Sequence, residues 1–344
     1  MIVIQLLYGF LYLTLEVTYT QTPERFPLPV ITIIIPCFNS ETKIIQCLES
    51  IYAQTIQDIE TVIVNDASTD KTLSQIQNFL DSHLDFSAKI ISHSENQGVS
   101  ASRNDGIKVA AGDYITFVDA DDVLVPDFCQ RLYSFAHENE LDIAACNAIK
   151  IDNNGQYIGI LYKKLPTMIN ITINDYLTRL EIQPYFDTCW SKLWRHDFLD
   201  KNELVFQEGI HFGEDTLFTN SALLKTNKIG ILGNYCGYRY AVGNSQSCCA
   251  KITVRNRLCN LQHLLECLRQ LHSPERMLLR KSREYIWTIK KFNWKDRKQF
   301  LATMVESTLW TELLFPVILH HDTLKHRIIA YFLNHKYAWS IFFW

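Results

Sequence analysis

The sequence predicts an α/β protein with a mainly parallel sheet flanked by helices. Four segments rich in apolar and β-branched residues have the length of strands, at residues 31–35, 61–64, 89–92 and 114–118. Segments with apolar residues at helical spacing separate them, and strands that alternate with helices form βαβ units. Neither a G-x-G-x-x-G nor a G-x-x-x-x-G-K-S/T fingerprint occurs, which disfavours a classical dinucleotide-binding fold and a P-loop enzyme.

The first strand and helix are predicted within residues 31–51. Ile31 to Ile35 form a continuous β-branched run that Pro36 ends, as is typical of a strand buried on both faces. Ser40 is predicted to cap the next helix, because serine accepts hydrogen bonds from the free N–H groups of a first turn. The apolar positions of that helix fall at i, i+4 and i+7, at Ile44, Leu48 and Ile51.

Later elements follow the same pattern. The helix after the second strand is predicted to bury one face, formed by Leu73, Ile76 and Leu80. The helix after the third strand runs from Val99 to Ala111 and is predicted to stop at Gly112, a C′ glycine. A further helix starts after Pro126 and carries apolar residues at Phe128, Leu132, Phe135 and Ala136.

The composition is that of an ordinary globular protein, with 47% hydrophobic and 20% charged residues. A formal net charge of −4 gives no general reason to expect nucleic-acid binding. The ten cysteines are scattered without a C-x-x-C pair, which predicts reduced thiols in a cytosolic protein and disfavours a zinc site.

The amino-terminal segment is almost wholly apolar from Met1 to Leu15. No lysine or arginine precedes Arg25, so the basic region of a signal peptide is missing. The apolar run is also shorter than the roughly 20 residues that span a bilayer. We expect residues 1–29 to be either a weak membrane anchor or an extension ahead of the domain, with residues 16–29 as a linker.

Three carboxylates follow the strand at 114–118, at Asp119, Asp121 and Asp122. Carboxylates this close repel one another unless a cation lies among them, and hard divalent cations prefer oxygen ligands. Ligands of open α/β sheets bind beyond the carboxyl ends of the strands. The alternative is a solvated acidic turn that caps the next helix.

Four motifs in this order carry a resemblance to a known family: Pro36-Cys37-Phe38-Asn39, Asn65-Asp66-Ala67-Ser68-Thr69-Asp70, residues 96–106, and Asp119-Ala120-Asp121-Asp122. They resemble the inverting family 2 glycosyltransferases of the GT-A fold, especially bacterial enzymes that build capsule, lipopolysaccharide or other surface polysaccharides. The resemblance covers residues 30–135 closely and resumes at residues 189–194 and 212–218. It implies a nucleotide-sugar-binding half at 30–135, an acceptor-binding half at 136–248 and a helical region at 249–344.

For the nucleotide, the resemblance implies that Asp66 accepts a hydrogen bond from the uracil of a UDP-sugar. Pro36, Phe38 and Asn39 would shape the floor under the base. Asp66 could instead cap the following helix, and Pro36 could simply end a strand.

For the diphosphate and ribose, Gly98 permits close backbone approach to a ligand, and Arg103 could reach the diphosphate with forked hydrogen bonds. Arg103 could equally pair with an acidic strand end. The resemblance assigns the ribose hydroxyls to Asp119 and a Mg²⁺ or Mn²⁺ ion to Asp121, with Asp122 in a supporting role.

The resemblance assigns the catalytic base to Asp215, which takes the proton of the acceptor hydroxyl. Glu214 flanks it, binding the acceptor or tuning its neighbour. Both acids also suit the first turn of a helix, where negative charge is favoured. Trp190 and Lys192 resemble the family's W-x-K-L element, with Trp190 either a sugar platform or a core residue.

Residues 251–300 hold thirteen Lys or Arg against four Asp or Glu, followed by an aromatic-rich tail. This region either binds an anionic membrane surface or forms a solvated helical face followed by core aromatics. The resemblance thus implies a cytoplasmic, metal-dependent glycosyltransferase that acts on a glycan or lipid-linked acceptor, and whether it contacts the inner face of the plasma membrane stays open between these two alternatives. The alternatives are a sugar-phosphate nucleotidyltransferase and a non-catalytic glycan-binding scaffold of the same fold.

Overall fold

The computed structural model of the chain describes residues 2–4, 15–19, 29–179, 181–210 and 213–242. Most of them belong to one compact unit formed by residues 1–209 and 218–244, whereas residues 210–217 belong to a second unit with residues 245–344. The predicted helical, basic region at 249–344 lies outside the described residues.

The described residues form eleven strands and seven α-helices, together with a 3-10 helix at Gln183–Phe186. The strands are β1 Ile2–Ile4, β2 Leu15–Tyr19, β3 Ile31–Cys37, β4 Ile59–Asn65, β5 Ala88–Ser92, β6 Tyr114–Phe117, β7 Val123–Leu124, β8 Ile143–Ile151, β9 Tyr157–Ile160, β10 Lys192–Arg195 and β11 Ile229–Ala241. The helices are α1 Ile44–Tyr52, α2 Thr72–Ser82, α3 Val99–Val109, α4 Phe128–Glu138, α5 Ile173–Thr178, α6 His196–Lys201 and α7 Glu214–Leu223.

All of these strands lie in one sheet, in the order β1-β2-β5-β4-β3-β6-β10-β8-β11-β7, with β9 paired to β8. The central pairs β5–β4, β4–β3 and β3–β6 are parallel, as is β8–β11. β10 is antiparallel to both of its neighbours, β6 and β8. The predicted α/β fold with a mainly parallel sheet and flanking helices is confirmed.

Strand β3 lies at the centre of the core and is buried along its whole length. It extends to Cys37, so the expectation that Pro36 ends the strand is wrong. Alternate residues of a strand bond to opposite neighbours, and Ile34 accepts a hydrogen bond from Val118 on the β6 side. The backbone of Pro36 points to the same side as that of Ile34, but Pro36 lies beyond Ile34 and Phe117, the last residue pair between β3 and β6. Its missing N–H therefore removes no hydrogen bond between these two strands.

The N-cap of α1 and the buried face of α2 both differ from the prediction. Helix α1 begins at Ile44 with Lys43 as the N-cap residue, and Ser40 instead donates its N–H to the Thr72 hydroxyl at 2.7 Å. In α2, Leu73 is 39% exposed rather than buried. The buried face of α2 is formed by Thr72, Ile76, Phe79 and Leu80.

Helix α3 ends two residues before the predicted Ala111, because Ala110 already has extended backbone. Gly112 is therefore not a C′ glycine. A Cβ at Gly112 would lie 2.6 Å from the backbone nitrogen of Thr32, so glycine is needed for the chain to pass against β3. The N–H of Gly112 donates to the Thr32 hydroxyl at 2.9 Å.

At one edge of the sheet, β2 pairs antiparallel with β5 and β1 pairs with β2. Residues 15–19 therefore belong to the sheet, whereas a linker was expected from residue 16. The predicted helix after Pro126 is confirmed as α4, which buries Phe128, Leu132, Phe135 and Ala136.

Two further expectations concern the described part of the chain only. The six cysteines within it are not paired with one another, and five of them are buried. Among the described helices, none has both the length and the apolar character needed to cross a bilayer.

Candidate active site

Three neighbouring strands carry polar residues just beyond their carboxyl ends. Because β4, β3 and β6 are adjacent and parallel, these ends meet at one edge of the sheet. Phe38 and the polar Asn39 follow β3, Asp66 follows β4, and Asp119 and Asp121 follow β6. The fold thus brings together the residues that the sequence predicted as a nucleotide site.

The loops after β3 and β4 are hydrogen-bonded to each other through Asn39. Its Oδ1 accepts from the N–H of Thr69 at 2.9 Å, and its own N–H donates to the Ser68 hydroxyl at 3.1 Å. Asn39 has a φ of 50°, in the left-handed region that asparagine tolerates. These bonds hold the loop that carries Phe38, whose ring is 48% exposed and open to a planar ligand.

Asp66 is buried and fastens the loop that leads into α3. Its Oδ1 accepts from the N–H of Gln97 and its Oδ2 from the N–H of Gly98, both at 2.8 Å. Gly98 has a φ of 91°, which favours glycine. Burial alone would raise the pKa of Asp66, but hydrogen bonds from His93, Gln97 and Gly98 outweigh it and lower the pKa below its ordinary value.

His93 is a site residue that the sequence interpretation missed. Its Nδ1 lies 2.7 Å from Asp66 Oδ1, and its Nε2 lies 3.2 Å from Oδ2 of Asp105 on α3. Hydrogen bonds to Asp105 and Asp66 raise the pKa of His93 to about 9 against the opposing effect of burial. The available signal was its position directly after β5, the strand beside β4 in a parallel sheet.

Arg103 is buried and forms an ion pair with Asp119, with Nη2 and Oδ1 3.0 Å apart. The two side chains are 3% and 30% exposed, so the pair opens to solvent on the Asp119 side. The guanidinium also lies over the ring of Phe206, 5.1 Å from its centroid. The expected alternative, a salt bridge between Arg103 and an acidic strand end, is therefore present.

The three carboxylates after β6 differ in their burial. Asp122 is fully buried, and accepts hydrogen bonds from the Tyr238 phenol at 2.7 Å and the N–H of Ala241 at 2.8 Å. Burial, with the charges of Asp121 and Asp119 beside it, raises the pKa of Asp122 well above its usual range. Asp122 is therefore no solvated turn residue, and Asp127 rather than Asp122 precedes α4.

Asp121 is half-exposed within this turn. Within the described ranges, no three side chains of the types that ligate metals converge on one point. A single carboxylate together with diphosphate oxygens is a donor set that suits Mg²⁺ or Mn²⁺.

Trp190 and Lys192 lie in the interior. Trp190 is 5% exposed and stacks on Tyr238 and Tyr240, with ring centroids 4.7 and 5.2 Å apart. Lys192 is 1% exposed, and its Nζ donates to the carbonyl of Trp190 at 3.0 Å. For Trp190, this burial agrees with the core alternative rather than with a sugar platform.

Glu214 and Asp215 occupy the first turn of α7 and are half-exposed. Acidic side chains there interact favourably with the helix dipole, as the helix-start interpretation requires. The assignment of Asp215 as the base stays a prediction.

The chain matches one family model over residues 32–196, described as Glycosyl transferase family 2. A poly(ribitol-phosphate) beta-glucosyltransferase of Bacillus spizizenii is 33% identical over 215 residues, which cover 62% of this chain and 32% of that protein. The uncharacterized glycosyltransferase EpsJ of Bacillus subtilis is 31% identical over 206 residues, 60% of this chain and 59% of that protein. The chain thus spans less than two thirds of the length of these relatives.

Solved structures resemble this chain over most of its length. Staphylococcus aureus TarS 1-349 in complex with UDP-GlcNAc has a TM-score of 0.68 at 20% identity, covering 90% of this chain and 92% of that chain. The mannosyltransferase PcManGT from Pyrobaculum calidifontis, in complex with GDP-Man and Mn²⁺, has a TM-score of 0.53 at 16% identity and covers 94% of this chain and 91% of that chain. At such identities the likeness concerns the fold, and it confirms the expected GT-A architecture.

Proposed function

We propose that this chain, which matches the Glycosyl transferase family 2 model over residues 32–196, transfers a sugar from a UDP-sugar to a hydroxyl group with inversion at the sugar carbon. One observation carries the proposal. Phe38, Asp66, Asp119 and Asp121 follow three adjacent strands at one edge of the sheet. Arg103 of α3 joins them there through its ion pair with Asp119. Aromatic, acceptor, cationic and metal-ligating groups are what a nucleotide diphosphate needs.

The base of the donor lies against Phe38 in this proposal, with Pro36 and Asn39 holding the backbone around it. A carboxylate offers about four positions that can accept a hydrogen bond. In Asp66, donors occupy three of these positions. The remaining position is on Oδ2, which accepts only the Gly98 N–H among the bonds given above. An N–H of a uracil ring fits that position.

In this proposal, Asp119 binds the ribose and Arg103 binds the diphosphate. Asp119 is 30% exposed and accepts from Arg103 through Oδ1, which supports its interaction with ribose hydroxyls through the open side. Arg103 has five N–H donors in a planar fork, the geometry with which a guanidinium recognises a phosphate.

Asp121 is the residue that would hold a divalent cation: it matches the family's metal position and is half-exposed at this edge of the sheet. A bound Mg²⁺ or Mn²⁺ would neutralise the donor diphosphate and the charge that develops on the leaving UDP.

Asp215 takes the proton of the attacking acceptor hydroxyl, and Glu214 supports it. An inverting transfer needs this base on the face of the sugar ring opposite the leaving group. The match of Asp215 to the family's base position and its half-exposed setting in the first turn of α7 support the assignment.

The acceptor we propose is a glycan or lipid-linked glycan of the bacterial surface, which receives a hexosyl or N-acetylhexosaminyl group on the cytoplasmic side of the membrane. The similarity to a poly(ribitol-phosphate) beta-glucosyltransferase supports a polymer as acceptor. The basic residues between 251 and 300 support peripheral contact with an anionic membrane.

Donor binding tests the proposal most directly. A panel of UDP-, GDP- and CDP-linked sugars is screened for thermal stabilisation of the chain with Mn²⁺ and with EDTA. We expect a UDP-sugar to raise Tm in Mn²⁺ and less so in EDTA, and to release UDP when an acceptor is added. The absence of any shift would favour a glycan-binding scaffold. Turnover of a sugar 1-phosphate with UTP would favour a nucleotidyltransferase.

A further inference from the structure

The His93 imidazole is enclosed between two carboxylates that come from different elements. Its side chain is 1% exposed, and the carboxylates of Asp66 and Asp105 are 5% and 9% exposed. A neutral imidazole donates from one nitrogen only and presents a lone pair at the other. Both nitrogens of His93 face carboxylate oxygens, and the doubly protonated ring donates to both while both carboxylates stay ionised.

The network continues on α3 and ends at the surface. Asp105 also accepts from Nζ of Lys108 at 2.6 Å, and the Lys108 side chain is 61% exposed. Asp66, His93, Asp105 and Lys108 thus alternate in sign and sum to zero charge. Buried charges that are paired in this way avoid the large cost of an unpaired buried ion.

The contact with His93 fixes how Asp66 is turned. Oδ1 of Asp66 accepts from both His93 and Gln97, whereas Oδ2 accepts from Gly98. Two donors on Oδ1 leave the open acceptor position on Oδ2. Without the charge of His93, Asp66 and Asp105 would be two buried acids facing the same interior space, and Asp66 would be free to protonate or rotate.

We propose that His93 is a positioning residue that keeps Asp66 ionised and turns its open acceptor position toward the nucleobase of the donor. This inference rests on the proposed function, because it assigns a selectivity to the same site. Uracil has an N–H at ring position 3, whereas cytosine has an acceptor nitrogen there. An ionised, oriented Asp66 therefore accepts from uracil and repels cytosine.

Two substitutions at His93 separate its two contacts. Asparagine carries its amide nitrogen as far from the backbone as His Nδ1, so His93→Asn keeps a donor for Asp66 and loses the one for Asp105. Glutamine reaches the position of Nε2, so His93→Gln keeps the donor for Asp105 and loses the one for Asp66. His137→Asn, at an exposed position of α4, is the matched control.

The experiment measures the Kd of UDP and of CDP by calorimetry with Mn²⁺ for each variant, well below its Tm. We expect the wild type and His137→Asn to prefer UDP by at least about tenfold, as sites built around a ligand N–H do. His93→Asn should keep this preference. His93→Gln should reduce it to about threefold or less, because this variant lacks the hydrogen-bond donor that orients Asp66.

The inference is overturned if His93→Gln keeps the wild-type preference, or if both variants weaken UDP and CDP by the same factor, as a merely structural residue would. Either of these results leaves the proposed function standing, because the wild type still binds UDP. If the wild type binds neither nucleotide, the proposed function fails and the assignment of His93 fails with it.

Discussion

The phenol of Tyr238 donates a hydrogen bond to the buried carboxylate of Asp122 at 2.7 Å. The same oxygen accepts from the backbone N–H of Asp119 at 3.2 Å. One side chain of β11 therefore holds both ends of the turn that carries Asp121. Tyr238 also stacks on Trp190, so this turn is connected to the segment before β10 through the interior.

Replacing Tyr238 with phenylalanine should destabilise the protein and loosen the turn. Tyr238→Phe keeps the ring and its stacking, but removes one of the two donors to Asp122 and the acceptor for Asp119. Leaving such buried groups unpaired costs about 1–3 kcal/mol of unfolding free energy, measurable by urea denaturation. Tyr157→Phe, at a position that is 62% exposed, is the control and should be neutral. Equal stability of the two variants would show that the bonds of Tyr238 contribute nothing.

Removing the charge of Asp121 should abolish the metal dependence of donor binding. In Asp121→Asn the amide oxygen is a much weaker ligand for a hard divalent cation. We expect the extra thermal stabilisation that Mn²⁺ gives to the complex with a UDP-sugar to disappear, measured by the Tm with Mn²⁺ and with EDTA. Asp113→Asn changes an exposed aspartate just before β6 and should behave as the wild type. Full metal dependence in Asp121→Asn would remove Asp121 from the metal site.

Removing the proposed base should separate binding from chemistry. Asp215→Asn should bind the UDP-sugar almost as tightly as the wild type, while the transfer rate falls by about 10²–10⁴-fold, the usual contribution of a general base. Calorimetry and an assay of UDP release measure the two properties. Glu214→Gln at the neighbouring position should reduce transfer less. Transfer at the wild-type rate in Asp215→Asn would show that another residue takes the proton.

The His93 network makes stability depend on pH. Asp105 and Asp66 raise the pKa of His93 from 6.5 to about 9, so its stabilising contribution is complete below pH 6.5 and is lost as pH rises through about 9. The groups that face His93 are Asp66 and Asp105, with Lys108 beyond Asp105. The full loss should be about 3 kcal/mol at most, since each pH unit between the two values corresponds to about 1.4 kcal/mol.

Urea denaturation at pH 6 and at pH 9.5 checks this dependence. The difference between the two free energies of unfolding should be larger in the wild type than in His93→Gln, which has no titrating group at this position. Asp66 and Asp105 have lowered pKa values, so their contribution is lost in the opposite direction, as pH falls toward their folded values. Identical pH profiles for the two proteins would show that His93 is not protonated in the folded state.

Much of the fold was predictable because the signals are local. The β-branched run at Ile31–Ile35 and the apolar spacing of α4 identify buried elements whatever surrounds them. The wrong predictions concern residues whose role depends on a part of the chain far away in sequence. Gly112 looked like a helix terminator, but glycine is needed there because of the backbone of Thr32, eighty positions earlier in the chain. Leu73 had the right spacing for a buried face, yet the packing of α2 exposes it.

The sequence by itself determined the fold class, the family resemblance and the edge of the sheet where the polar strand ends meet, because periodicity and motif order lie within short stretches of chain. Only the tertiary structure decided which groups pair there: Arg103 with Asp119, His93 with Asp66 and Asp105, and Tyr238 with Asp122. The last of these contacts joins positions 116 residues apart. Strand register and side-chain direction select such partners, and neither is encoded in the local pattern of residues.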